Sequence, residues 1–240
     1  MAVFGGAGNP PTPMEADAIA GLESCNTWTE AAVHSPTVST ARLAVPGKAS
    51  GEYQKGCGAF KGKRLEDAEE HLRKAIEVYP NYAAAWVVLG QVLDAQHKKD
   101  EARDACTHAQ TVDPEYVPPY LCLADFSASE QNWDQVASLS SRALELEPLT
   151  NIYSLYYAAD AAFHLKNLQD AETKANSAVK LDTWHHLPQL RLLLAHVYEA
   201  TGDSHSEIAQ LKEYVKSAPN GQELNDAKAT LAQLEAQSPK

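Results

Sequence analysis

No stretch of this 240-residue chain runs to about 18 apolar residues, so no membrane insertion is expected. Basic charge is scarce: 20 Lys and Arg stand against 32 Asp and Glu, a formal charge of −12 at pH 7. Nucleic acid and anionic membrane surfaces call for a basic face, and this balance argues against both as partners. A Walker-type phosphate loop, a Gly-x-Ser-x-Gly elbow and a Rossmann glycine pattern are all missing. Gly56-Cys57-Gly58 reads as a helix-weakening triplet, not a phosphate cradle. The nine histidines include His164, His185, His186 and His196, yet no tight ligand spacing joins them to cysteine. No metal, cofactor or catalytic residue is therefore predicted, and the chain reads as no enzyme. Met1 to Gly21 lacks the basic start and sustained apolar run of a signal peptide. Two locations stay open: cytoplasmic, or extracytoplasmic or extracellular if Met1 is a mature or shortened start.

Alanine and leucine dominate the 44% hydrophobic content, and they recur with a period. From Ala83 to Tyr116, Trp86, Leu89, Gly90 and Leu93 occupy places four, seven, eight and eleven of a 34-residue window. Ala102, Cys106, Ala109 and Pro114 follow at places twenty, twenty-four, twenty-seven and thirty-two. Bulky Trp86 and Leu89 would supply buried area, and Trp86 is expected between repeats. Gly90, Ala102 and Ala109 would let two backbones approach, and Pro114 ends the second helix.

The same places are filled elsewhere. Residues 49–82 carry Gly56, Ala59, Ala68, Leu72, Ala75 and Pro80, with Glu52 where the tryptophan stands in the best copy. Residues 117–150 carry Tyr120, Leu123, Ala124, Val136, Ala143 and Pro148, with Pro118 and Pro119 opening a helix and Asn132 capping the next. Residues 152–185 align through Ala159, Ala162, Ala171, Ala175 and Ala178, and residues 188–221 through Leu194, Ala195, Tyr198, Leu211 and Tyr214. In that last copy Glu207 replaces a small residue, so packing there should differ. Residues 222–240 read as a lone amphipathic helix and tail, with Leu224, Ala227, Leu231 and Leu234 inward, able to cap an array.

This spacing resembles the tetratricopeptide repeat, and the chain most nearly resembles bacterial arrays that carry several repeats behind an irregular segment. The resemblance implies an all-α fold: a right-handed α-solenoid of five helix-turn-helix repeats whose concave groove binds a peptide or protein. It implies a non-catalytic interaction scaffold. In the family the groove is lined mainly from first-helix places two, five, nine and twelve. Carried over, these are Tyr53, Cys57, Phe60, Val87, Gln91, Asp94, Leu121 and Asp125, then Tyr153, Tyr156, Asp160, Phe163, Leu192, His196 and Glu199. The basic clamp of chaperone-binding members is not matched, because Val87, Gln91, Pro118 and Cys122 stand at several of its places. Asp94, Asp125, Asp160 and Glu199 form a candidate acidic stripe for a basic partner segment, or simply a solvated face of an acidic protein.

Residues 1–48 lie outside the period. They hold five of the 13 prolines, and Val38, Leu43 and Val45 form a short β-leaning run. They read either as a disordered leader or as an extended arm that docks on its own groove or a neighbour's. Docking on a neighbour would make the protein a self-assembling subunit of a homopolymer, the alternative to the scaffold. The cysteines leave a second choice. Cys106 and Cys122 flank Pro114 at equal distance, which suits a bridge between antiparallel helices, and Cys25 could join Cys57. Four reduced cysteines packed as small apolar residues fit equally well.

Overall fold

The computed structural model describes residues 45–148, 151–183 and 187–237. Every regular element among them is a helix, eleven in all. They are α1 (Gly47–Lys61), α2 (Leu65–Val78), α3 (Ala83–Ala95), α4 (Lys99–Val112), α5 (Pro118–Ser129) and α6 (Trp133–Leu146). Then come α7 (Ile152–His164), α8 (Leu168–Leu181), α9 (Gln189–Thr201), α10 (Ser204–Ser217) and α11 (Gln222–Gln237). Two compact units result, one holding α1–α6 and the other α7–α11. Within each unit consecutive helices pair as hairpins, and α11 packs on α10. The expected arm at 1–48 and its docking fall outside the described residues, apart from its last four positions. There α1 already begins at Gly47, two residues ahead of the expected start.

Each hairpin closes on small side chains. Ala68, Ala75, Ala102, Ala109, Val136, Ala143, Ala171 and Ala178 are all fully buried on the second helices. They oppose Gly56, Gly90, Ala124 and Ala159 on the first helices, which are buried too. A side chain at Gly56 would meet Leu72 Cγ at 2.8 Å, and one at Gly90 would meet Cys106 Sγ at 2.5 Å and the Ala102 carbonyl at 3.0 Å. Real Cβ atoms do not come that close, so these two glycines are required by packing. The last hairpin does depart from the pattern. Glu207 is buried in the first turn of α10, and Tyr214 rather than alanine fills the later close-contact place.

The five turns inside the hairpins share one geometry. Lys63, His97, Gln131, Lys166 and Gly202 all take positive φ, between 59° and 78°. The next residue's N–H then reaches back to the first helix: Arg64 to the Ala59 carbonyl, Lys98 to Leu93, Asn132 to Ser127, Asn167 to Ala162 and Asp203 to Tyr198. These bonds satisfy carbonyls that a helix C-terminus otherwise leaves open. Asn132, Asn167 and Asp203 also cap the following helix by accepting from the N–H groups of Gln135, Asp170 and Ser206.

Between hairpins the sequence expectation meets one correction. Trp86 is not buried between repeats but half-buried. Its indole N–H donates to the Pro80 carbonyl at 2.8 Å and its ring lies 4.2 Å from that of His108. It pins the α2–α3 turn, so its truncation removes less than full burial would imply. In the first hairpin Glu52 takes the tryptophan's place and pairs instead with Lys55 and with His71 of α2 at 2.7 Å. Those hydrogen bonds, Lys55 first, hold the Glu52 carboxyl down to about 2.

Cys106 of α4 and Cys122 of α5 are joined by a disulfide with Cα atoms 6.1 Å apart, closing a separation of 16 residues. The chain-entropy model assigns such a closure roughly 3 kcal/mol. The same sulfur limits Gly90. Gly90→Ala is expected to cost about 1–3 kcal/mol through overpacking. In a Cys106→Ala background much of that cost should vanish, because the atom in the way is gone. A double-mutant cycle by urea unfolding checks this, and strictly additive losses would refute it.

Candidate functional site

Small residues fix the inner faces of the hairpins, and the residues carried over from the family stand on the first helices. In the first unit these are α1, α3 and α5. Tyr53, Val87 and Leu121 are at most 1% exposed there, so they stand as covered side chains rather than open lining. Phe60, Gln91 and Asp94 are half-buried, and Asp125 is exposed. Cys57 is buried and disulfide-bonded, whereas Cys25 lies outside the described residues.

The second unit brings more of the predicted residues together. The ring of Phe163 on α7 stacks against His196 on α9, with centroids 6.2 Å apart and planes at 27°. Tyr156 and Phe163 pack against the cluster Ala159, Ala175, Leu193 and Leu194, and both are half-buried. Tyr153 is half-buried beside them, and Glu199 is exposed on α9. Leu192 takes another role, packing against Ala195, Leu211, Tyr214 and Ala227 between α9, α10 and α11.

Asp160 sits in the middle of the α7 face. Its side chain is only 16% exposed, and His164 Nε2 lies 3.5 Å from a carboxylate oxygen. Burial alone pushes the Asp160 carboxyl up to about 6. Burial first, then Lys166 and His196, pushes the His164 imidazole down. Near neutral pH the carboxylate is therefore charged beside a neutral ring. Lys166, at the positive-φ turn position, holds its ammonium 5.7 Å from the centroid of Phe163. The groove residues carried over from the family do not include His164 or Lys166. The Asp160-x-x-x-His164 spacing was the available signal, since residues four apart share a helix face.

Nothing else in the described residues suggests chemistry. No group of three His, Cys, Asp or Glu side chains there could hold a metal ion, and no helix is long and apolar enough to cross a membrane.

The tetratricopeptide repeat family model matches residues 53–116. No curated protein matches the sequence. Among solved structures, a thermophilic TPR protein of Thermus thermophilus aligns with TM-score 0.60 at 17% identity, covering 78% of this chain and 99% of that one. PilF of Pseudomonas aeruginosa aligns with TM-score 0.65 at 15% identity, covering 79% and 90%. YrrB, described as a TPR protein with an unusual peptide-binding site, aligns with TM-score 0.55 at 16% identity, covering 74% and 90%. Residues 53–116 thus carry the tetratricopeptide repeat match, and the chain as described has the all-α fold of the tetratricopeptide repeat structures it resembles. That fold is generally a non-catalytic scaffold for protein or peptide partners.

The displaced titration of Asp160 gives a measurable consequence. Its folded carboxyl binds a proton more tightly than the ordinary value of 3.8, so ionisation opposes folding. That penalty is fully present above about pH 6 and fades as the pH falls toward 4. Asp160→Asn should therefore stabilise the fold at pH 7.5 by on the order of 1–3 kcal/mol, with the gain shrinking between pH 6 and 4. Urea melts of both proteins across that range check it, and a gain independent of pH would contradict it.

Proposed function

We propose that this protein is a non-catalytic interaction scaffold that binds an extended segment of a partner protein on its first-helix faces. The observation that carries the reading is the α7–α9 face. There the half-buried rings of Tyr156 and Phe163, with the exposed His196 stacked on Phe163, occur together with a mostly covered carboxylate, Asp160. Apolar rings supply area and the carboxylate supplies orientation, the usual division of labour in a recognition surface. The likeness of fold to YrrB, whose description names a peptide-binding site, supports the same use of the surface.

A photo-cross-linking amino acid placed at Tyr156 or Phe163 tests this in cells. Adducts with a partner protein are expected from those two positions and not from Thr173 on the exposed side of α8. Equal yields from all three, or none from any, would overturn the reading.

A second reading rests on Cys57, whose disulfide makes α1 a covalent attachment point. Residues 1–48 of one copy would dock on a neighbour's first-helix face and build a polymer, a head-to-tail contact that stays open unless it closes into a ring. Deleting residues 1–44 should then abolish large assemblies in light scattering. Unchanged scattering, or no assemblies in the parent, would end this version.

A further inference from the structure

We propose that the α7–α9 face takes an arginine side chain of its partner, with Asp160 as the counter-ion and the His196 ring, backed by Phe163, as the flat surface it lies on. The inference deepens the scaffold reading and rests on it. Asp160 is retained where a small or amide side chain would cost less. A carboxylate with 84% of its side chain covered normally recruits a cation or several N–H donors. Among the described residues its only close charged-type neighbour is His164 at 3.5 Å, and that imidazole is held toward its neutral form. Lys166 stands beside Phe163, and His196 is the other titratable ring facing His164. Lys166 is engaged at the ring of Phe163 and makes no ion pair with Asp160 among the described contacts. Asp160 is thus a largely covered anion whose one close ion-pair partner is a ring held toward its neutral form.

The rings decide which cation fits. Phe163 and His196 stack within 27° of parallel, and the exposed His196 ring offers a flat, weakly polar surface backed by Phe163. A guanidinium is planar, stacks on aromatic faces and grips a carboxylate through two parallel N–H donors. An ammonium is compact and strongly hydrated, and it cannot use the flat surface in the same way. The position of Lys166 over Phe163 shows that a cation rests readily on this ring. Anionic ligands are opposed by Asp160 and Glu199, and a wholly apolar segment would leave the Asp160 charge buried and unanswered.

Three labelled nonapeptides test the proposal on the full chain: one with a single central arginine flanked by leucine and tyrosine, and its lysine and citrulline counterparts. Fluorescence anisotropy at pH 7.5 should show the arginine peptide binding about tenfold tighter than citrulline, the size of one charge-assisted pair, with lysine between them. Asp160→Asn should erase the arginine advantage while leaving citrulline affinity unchanged, and Asp134→Asn on α6 should change neither. A discrimination that survives Asp160→Asn would overturn the proposal. So would equal binding of all three peptides; if that binding is lost in Phe163→Ala, the scaffold reading stands and only the arginine assignment falls. Binding by none of them up to millimolar concentration also ends the arginine assignment, and the in-cell cross-links then decide the scaffold reading separately. A thermal melt of each variant confirms that it is folded.

Discussion

Two helices can approach this closely only where at least one of them carries glycine or alanine at the contact. That constraint runs through every hairpin of this chain except the last. Gly56 against Leu72 and Gly90 against Cys106 leave no room for even one added carbon, and Ala124 and Ala159 serve the same end with little to spare. Close approach lets backbone and Cβ atoms exchange dispersion contacts along the whole pair, each small and together large. It also lets leucines such as Leu72, Leu89 and Leu93 fill the interior without voids. One such pair still leaves apolar faces open, and its neighbours cover them, which is why the element repeats at all.

The same constraint divides the molecule's surface by role. Second helices turn ion pairs outward, as in the Arg73 bridge to Glu69 and Glu101 and the Lys98 bridge to Glu69. Such exposed pairs contribute little each and mainly keep that side wet. The first helices carry the residues that packing does not explain. Phe163, Tyr156 and Asp160 combine area with an undercompensated charge, and Asp160 burdens the fold whenever it is ionised. On the scaffold reading proposed above, a cost of this kind at one place, among hairpins otherwise built from alanine, fits a surface used for binding.

Helices and their partners were legible in the sequence because their signal is size and spacing. Alanine and glycine at fixed places located the hairpins, Asn132 announced its cap, and the Glu69–Arg73 and Glu70–Lys74 pairs formed as their four-residue spacing implied. Turns were not legible. Four of the five positive-φ positions hold Lys, His, Gln and Lys, side chains that carry no turn signal, and only Gly202 advertises its conformation. The bonds that hold these turns run between backbone groups five residues apart and leave no mark in the side chains. Helix place alone named the candidate lining, and place says nothing of exposure. The rule that named Phe163 and Asp160 also named Val87 and Leu121, which are covered, and only three dimensions show that Asp160 is largely withdrawn from water. Trp86 was misread for a related reason. Its indole N–H found the Pro80 carbonyl, a partner that an aromatic residue counted as buried area does not suggest.

The central claim is that small residues at the hairpin contacts, rather than general hydrophobicity, hold these helices in place and free the first-helix faces. Ala171, fully buried between α7 and α8, tests it most directly. Substituting leucine there adds apolar volume while lowering no helix propensity of consequence. If close approach governs, Ala171→Leu loses about 1–3 kcal/mol in urea unfolding, as overpacking does, while Thr173→Leu on the exposed side of α8 changes little. An Ala171→Leu protein as stable as its parent, or more so, would contradict the account.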